Sequence, residues 1–253
     1  MKNIIIANWK MNPERAGEAL GLARTLMRQV KKNQKVTVVC AAPFPFLALL
    51  PKSKNIARGA QNTFWERSGS FTGEVSPTML KSLGVEYVIV GHSERRQHLF
   101  ETDEMINKKL KASLAAGLRP ILCVGESKRD PDGQFFTFLK KQVVSAFAKV
   151  PQSQASKVIV TYEPVWAISG SKSAKAARPE DANEAALFIR KTLASIYGVR
   201  TAMQICIIYG GSSNAKNTTS FVSQKEISGL LVGRESRKPK EFLAMIECIK
   251  SIS

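Results

Sequence analysis

The residues best suited to chemistry in this chain are one glutamate, one histidine and one lysine, each standing just past a short apolar run. Glu163 lies in TYEPVWAISGS, at the end of the run VIVTY, ahead of Pro164 and Trp166 and just before a Ser/Gly-rich segment. A carboxylate that leaves a buried strand and faces a segment able to move is mounted as a catalytic base is mounted. His92 follows YVIVG, opens the helix-like SERR and is one of only two histidines; His98 reads as a surface or packing residue. Lys10 stands in ANWKMN, where an unpaired ammonium is costly to bury. A base on one side of a substrate, with hydrogen-bond donors where negative charge appears on oxygen, is what removal of a proton next to a carbonyl requires. Each residue also has an ordinary reading: a strand-end surface carboxylate before proline, a hydrogen-bonded structural histidine, a common turn in Tyr209-Gly-Gly-Ser212.

Such residues meet only if the backbone carries them to one place. β-rich runs recur at NIIIANW, VTVVCAA, IARGAQN, YVIVGH, PILCVGE, VIVTYEP, QICIIYGG and GLLVG, near-continuously apolar as strands buried on both faces must be. Between most of them lie amphipathic patterns such as PERAGEALGLARTLMRQVKK and PEDANEAALFIRKTLASIYG, the second opening on proline and acids and closing at glycine. This alternation in 253 residues predicts an α/β chain closed as a (β/α)8 barrel of parallel strands surrounded by helices, rather than a doubly wound sheet. No linker divides residues 1–253, which are expected to form one domain, and Ser169–Ala177 reads as a long loop inside a βα unit. Barrel sites gather where strands end. The polar residues there are Asn8 and Lys10, Gln61 and Asn62, His92, Glu126, Glu163, Gly210 to Ser212, and Gly233.

Composition narrows the remaining classes. No apolar stretch reaches the roughly 18 residues that cross a bilayer, and the start MKNIIIANWKMNPERAG lacks a signal-peptide cleavage site. A cytoplasmic location without membrane attachment is therefore expected. Cys40, Cys123, Cys206 and Cys248 are widely spaced, with no CxxC, so neither a disulfide framework nor a metal site is supported. The net charge of +18 favours anionic partners, from nucleic acid to a phosphorylated metabolite. The basic residues are scattered over helix-like segments with few interleaved aromatics, as on a solvated surface, and nucleic-acid binding is not expected.

At the strand ends the chain resembles the triosephosphate isomerase family over nearly its whole length. The matching blocks are ANWKMN (7–12), GAQNTFWERSGSFTGEVSP (59–77), VGHSERR (90–96), GLRPILCVGE (117–126), YEPVWAI (162–168), YGGS (209–212) and LLVG (230–233). The resemblance implies a TIM barrel without a cofactor that interconverts dihydroxyacetone phosphate and glyceraldehyde 3-phosphate in glycolysis and gluconeogenesis. It implies that Glu163 is the base, that His92 polarises the carbonyl, and that Lys10 stabilises the enediolate and binds the dianion. Asn8 and Glu94 complete the polar surroundings. The phosphate is expected on Ser212, Gly233, Arg234 and Ser169, with Ile168 and Leu231 shielding Glu163 and making it more basic by desolvation. Glu126 reads as a structural partner or a support of the site, Trp166 as a hinge-packing residue and Cys123 as a buried structural thiol. The loop Arg67–Val75 resembles the family's dimer loop, with Thr72 reaching towards the neighbouring subunit, which implies a homodimer.

The chain departs from the family pattern at three places. Ser169 and Ser171 stand at positions usually glycine, Arg234 stands where a second glycine lets phosphate approach, and Phe100 also replaces glycine. A serine held at positive φ costs on the order of 1 kcal/mol. With Lys10, His92 and Glu163 intact, these changes are expected to adjust loop closure and phosphate affinity without abolishing catalysis. Two other readings are another phosphosugar barrel, such as an aldolase, and a basic binding protein that retains the barrel; an aldolase's Schiff-base lysine is expected on a later strand than that of Lys10.

Overall fold

The eight apolar runs form parallel strands: β1 (Asn3–Asn8), β2 (Val36–Ala42), β3 (Ala57–Ala60), β4 (Tyr87–Val90), β5 (Arg119–Val124), β6 (Ile159–Tyr162), β7 (Cys206–Tyr209) and β8 (Gly229–Val232). They are hydrogen-bonded in chain order and closed by β1 on β8. This computed structural model describes residues 3–31, 35–130, 132–168 and 177–252. Most strands are shorter than the apolar runs that announce them, since Trp9, Asn62, His92, Glu126 and Glu163 all fall beyond the ladder. The last residues of each run are thereby released to form the mouth.

Alternation along the strands explains why the runs are apolar throughout. Ile4, Ile6, Val39, Ala41, Ile89, Ile121, Ile159 and Ile208 fill the barrel interior. The intervening Ile5, Val38, Val88, Leu122, Val160 and Ile207 pack in the layer shared with the helices, so neither face meets water. Closure is close enough to select its residue. A Cβ on Gly229, opposite Ile4 in the ladder, would lie 1.8 Å from the Ile4 carbonyl oxygen.

The helices around the barrel are α1 (Ala16–Gln29), α2 (Phe44–Leu47), α3 (Pro77–Ser82), α4 (Ser93–His98), α5 (Asp103–Ala115), α6 (Gln134–Phe147), α7 (Gln152–Ala155), α8 (Pro179–Tyr197), α9 (Val199–Ala202), α10 (Ala215–Val222) and α11 (Pro239–Ser251). The helical pattern beginning at Pro13 becomes helix only from Ala16, whereas α8 starts at its proline and stops before Gly198 as its sequence predicts. Between α4 and α5 the chain buries an ionic cluster. The Lys109 ammonium donates to Glu101 and, at 2.8 Å, to Asn62 Oδ1. Gln61 Nε2 donates to the Ala41 carbonyl at 2.9 Å. These two strand-end amides are thus spent on packing.

The loop Arg67–Val75 is exposed over most of its length but internally braced. The Phe64 N–H donates to the Val75 carbonyl at 2.8 Å, the Glu74 N–H to that of Phe71 at 3.0 Å, and Thr78 Oγ1 to that of Arg67 at 3.2 Å. The rings of Phe64 and Phe71 lie 4.7 Å apart. Phe100, which stands where the family resemblance implies glycine, is itself left-handed, with φ 52°. Among the described residues, no helix is long and apolar enough to cross a membrane, and no group of three or more His, Cys, Asp or Glu is placed to hold a metal ion. Cys40, Cys123 and Cys206 are free and buried, and Cys248 is free and half-buried.

Candidate active site

At the carboxyl ends of the strands one cavity is lined by Asn8, Lys10, His92, Glu163, Ile168, Gly210, Gly211, Leu231 and Gly233. The turn after β1 delivers the lysine. Asn8 Oδ1 accepts the Lys10 N–H at 3.0 Å, and Lys10 itself has φ 55°, a left-handed conformation that costs a non-glycine residue about 1 kcal/mol. Lys10 Nζ is 2.5 Å from Glu94 Oε1, so the ammonium is paired, as its partial burial requires.

The end of β4 delivers the histidine. His92 caps α4, where its Nδ1 accepts the Glu94 N–H at 3.3 Å. With Nδ1 used as an acceptor, the neutral ring carries its proton on Nε2. That nitrogen is 2.9 Å from Glu163 Oε1. The other carboxylate oxygen, Oε2, accepts the Ser93 N–H at 3.0 Å. Sequence reading does not reach Ser93 because its contribution is a main-chain N–H at a helix start, which no side-chain pattern marks.

The end of β6 delivers the glutamate on a main chain laid along the end of β5. The Glu163 N–H donates to the Val124 carbonyl at 2.8 Å and the Val165 N–H to that of Glu126 at 3.0 Å. Only 2% of Glu163 is exposed. The sequence predicts that burial makes this carboxylate more basic, and in this state the net effect is the opposite. Burial does push it up, but the charge and hydrogen bond of His92, the Ser93 N–H and the charge of Lys10 together hold it below the usual carboxylate range. At His92 burial pushes the ring down, and the Glu163 carboxylate together with the charge of Glu94 more than reverses it, leaving the ring above its ordinary value while His92 and Glu163 are in contact.

Glu126 lies behind this assembly and does not line the cavity. Its Oε1 accepts Tyr162 Oη–H at 2.7 Å and Trp166 Nε1–H at 2.8 Å. It thereby ties the single turn Val165–Ala167 to the barrel wall, and burial raises its pKa. Cys123 is buried in the barrel interior, as expected of a structural thiol. His98 is exposed.

The residues expected to receive phosphate divide into groups. Gly233 lines the cavity with Ile168 and Leu231. Ser212 is not among the lining residues but directly follows one, Gly211, and its N–H and Oγ–H are both directed at the Ala167 carbonyl, at 3.2 and 2.9 Å. Arg234 keeps its main chain beside Gly233 while its side chain, 64% exposed, pairs with Glu235 at 3.2 Å. Its bulk therefore stays out of the cavity, and its charge is largely spent on a solvated ion pair. Arg234→Gly is accordingly expected to change kcat/KM by less than about fivefold, the scale of an exposed ion pair; a change of a hundredfold in steady-state kinetics would show the guanidinium to be engaged. Ser169, Gly170 and Ser171 lie outside the described residues.

A closed (β/α)8 barrel with a carboxylate, an imidazole and an ammonium around one cavity, beside glycines from the ends of β7 and β8, belongs to the class of barrels equipped for acid–base chemistry on a small anionic substrate. Comparison with known proteins narrows the class. The family model described as triosephosphate isomerase matches residues 3–249. The chain is 43% identical over 249 residues to the triosephosphate isomerase of Alkaliphilus oremlandii, covering 97% of this chain and 98% of that protein. It is 43% identical over 247 residues to that of Caldanaerobacter subterraneus, covering 96% and 98%, and 42% identical over 250 residues to that of Dictyoglomus thermophilum, covering 97% and 99%. The chain belongs to the triosephosphate isomerase family.

Proposed function

We propose that this protein interconverts dihydroxyacetone phosphate and glyceraldehyde 3-phosphate through an enediolate, as a step of glycolysis and gluconeogenesis. The observation that carries the reading is the contact of Glu163 with His92 Nε2 at 2.9 Å beside Lys10, in a cavity that also holds Asn8. Both oxygens of Glu163 are occupied in this state, one by His92 and one by Ser93. To take a carbon-bound proton the carboxylate must leave them, and the same movement frees Nε2–H for the substrate oxygen.

That movement also sets the acidities. Away from His92 and Ser93, Glu163 loses the groups that hold it down while burial remains, so it becomes the stronger base. His92 loses the nearer of the two carboxylates that hold it up, Glu94 remaining, and burial, the largest influence on the ring, with the Lys10 charge favours the neutral ring, a donor that is not consumed by protonation. Lys10, paired with Glu94, places positive charge where the enediolate and the dianion gather negative charge. Ile168 and Leu231 cover the carboxylate, and the main chain at Gly233 and Arg234, with Ser212 and Ser169, receives the phosphate. A proton moving between adjacent carbons involves no net redox change, and the chemistry calls for no cofactor.

The chain acts as one domain in the cytoplasm and as a homodimer through Arg67–Val75, with Thr72 directed to the partner's site. The internal bracing of that exposed loop supports a docking role. Sizing by light scattering is expected to give twice the 27.8 kDa chain mass, and a fully active monomer would remove the dimer from the account. The reaction is tested by a coupled assay of triose phosphate interconversion in both directions; purified protein without turnover above the auxiliary enzymes' background would end the isomerase reading.

A further inference from the structure

Helix α6 buries a glutamine that the reaction does not use. Gln142 is 3% exposed and lies among Leu139, Val143 and Ala146 on the buried face of the helix. An amide there without partners would bear the full desolvation penalty of its polar groups. Its partners are the two main-chain polar groups of one residue. Gln142 Oε1 accepts the Gly125 N–H at 2.8 Å, and Nε2 donates to the Gly125 carbonyl at 3.3 Å.

Gly125 is the residue on which the main chain of Glu163 rests. A Cβ added there would lie 1.9 Å from the Glu163 carbonyl oxygen and 3.3 Å from its Cα. The carbonyls on either side, of Val124 and Glu126, accept from Glu163 and Val165, so the two segments are stitched together around this glycine. On the far side packing is incomplete. A cavity of about 100 Å³ opens there, with Ser93, Arg96, Phe138, Gln142, Glu163 and Val165 on its walls. Side-chain contact does not fill the space behind Glu163, and the amide supplies a fixed support at that point.

We propose that Gln142 is a positioning residue for the proton transfer: by clamping both polar groups of Gly125, it holds the main chain against which Glu163 is seated. The inference rests on the isomerase reading of the site. A reacting group displaced by about 1 Å loses on the order of a hundredfold in rate, so a distant clamp of this kind acts on kcat. The phosphate contacts, at the ends of β7 and β8, are not supported by it.

The test compares wild type with Gln142→Leu and Gln142→Glu for kcat, KM and melting temperature, using dihydroxyacetone phosphate. In Gln142→Leu, kcat is expected to fall roughly 10- to 100-fold, with KM within about threefold of wild type. Gln142→Glu separates positioning from packing. Its neutral carboxyl keeps one acceptor and one donor, whereas its ionised form cannot donate to the Gly125 carbonyl. The ratio of its kcat to that of wild type is therefore expected to rise as pH is lowered and to fall as pH is raised. A purely structural role lowers the melting temperature and leaves that ratio flat. If Gln142→Leu does not fold, the pH dependence of the Gln142→Glu ratio decides alone. Wild-type turnover with unchanged kcat in the folded variants, or a flat ratio, overturns the proposal; no turnover in wild type overturns the isomerase reading and this proposal with it.

Discussion

Glu163→Gln is expected to lower kcat by about 10³- to 10⁴-fold, the upper part of the range assigned to a general base, with KM changed by no more than a few-fold. An amide occupies the same volume and can still accept from His92 Nε2 or from Ser93, so the 2.9 and 3.0 Å contacts of the resting state lose at most one partner. What it cannot do is take a proton from carbon. Glu163→Asp keeps the chemistry and withdraws the carboxylate by one bond length. Because the main chain is fixed by the hydrogen bonds of Glu163 and Val165 to the end of β5, it does not advance to compensate. A loss of roughly a hundredfold follows from the misplacement. Steady-state assays of both variants, with circular dichroism to show that they are folded, check the result. A glutamine variant retaining more than a tenth of wild-type kcat would mean that another group removes the proton.

Lys109→Met is expected to be the most destabilising single change in the buried ionic cluster. Lys109 and Glu101 have side chains only 3% and 1% exposed, and Glu101 Oε2 has no hydrogen-bond partner among the described residues. Removing the ammonium leaves the carboxylate with a long contact to Arg95 Nε at 3.4 Å and orphans the acceptor on Asn62. Breaking a buried pair from one side costs about 3–5 kcal/mol, which corresponds to roughly 6–20 °C of melting temperature at this chain length. Replacing both charges, as Lys109→Met with Glu101→Leu, is expected to recover most of the loss, because no uncompensated charge then remains. Thermal melts of the two variants decide. If the single variant melts within 2 °C of wild type, water reaches the cluster and the pair is not buried in the energetic sense.

These two sites differ in how far the sequence reveals them. Glu163, His92 and Lys10 are legible because each is a polar residue at the end of an apolar run, and the run itself locates the strand end. Lys109 carries no such mark, since on the pattern of α5 it is one lysine among several, and only its packing against Glu101 and Asn62 sets it apart. Gln142 is an intermediate case: a polar residue in register with Leu139, Val143 and Ala146 signals a buried partner but not which one. The acidity of Glu163 in this state is hidden from the sequence for a related reason. Apolar neighbours are visible as local composition, while the opposing Ser93 N–H and His92 contacts span about seventy residues of chain.

Strand number, order of elements and the residues at each strand end are local properties: they follow from a two-sided apolar period and its interruption by polar residues, which a linear chain displays in full. Whether Glu163 rests on His92 and Ser93, whether Lys10 meets Glu94, and which backbone Gln142 grips depend on side chains that come together only when β1 closes on β8. Hydrogen bonds and charge pairs act over a few ångströms, so their partners and their effects on acidity are properties of that closure and of nothing shorter.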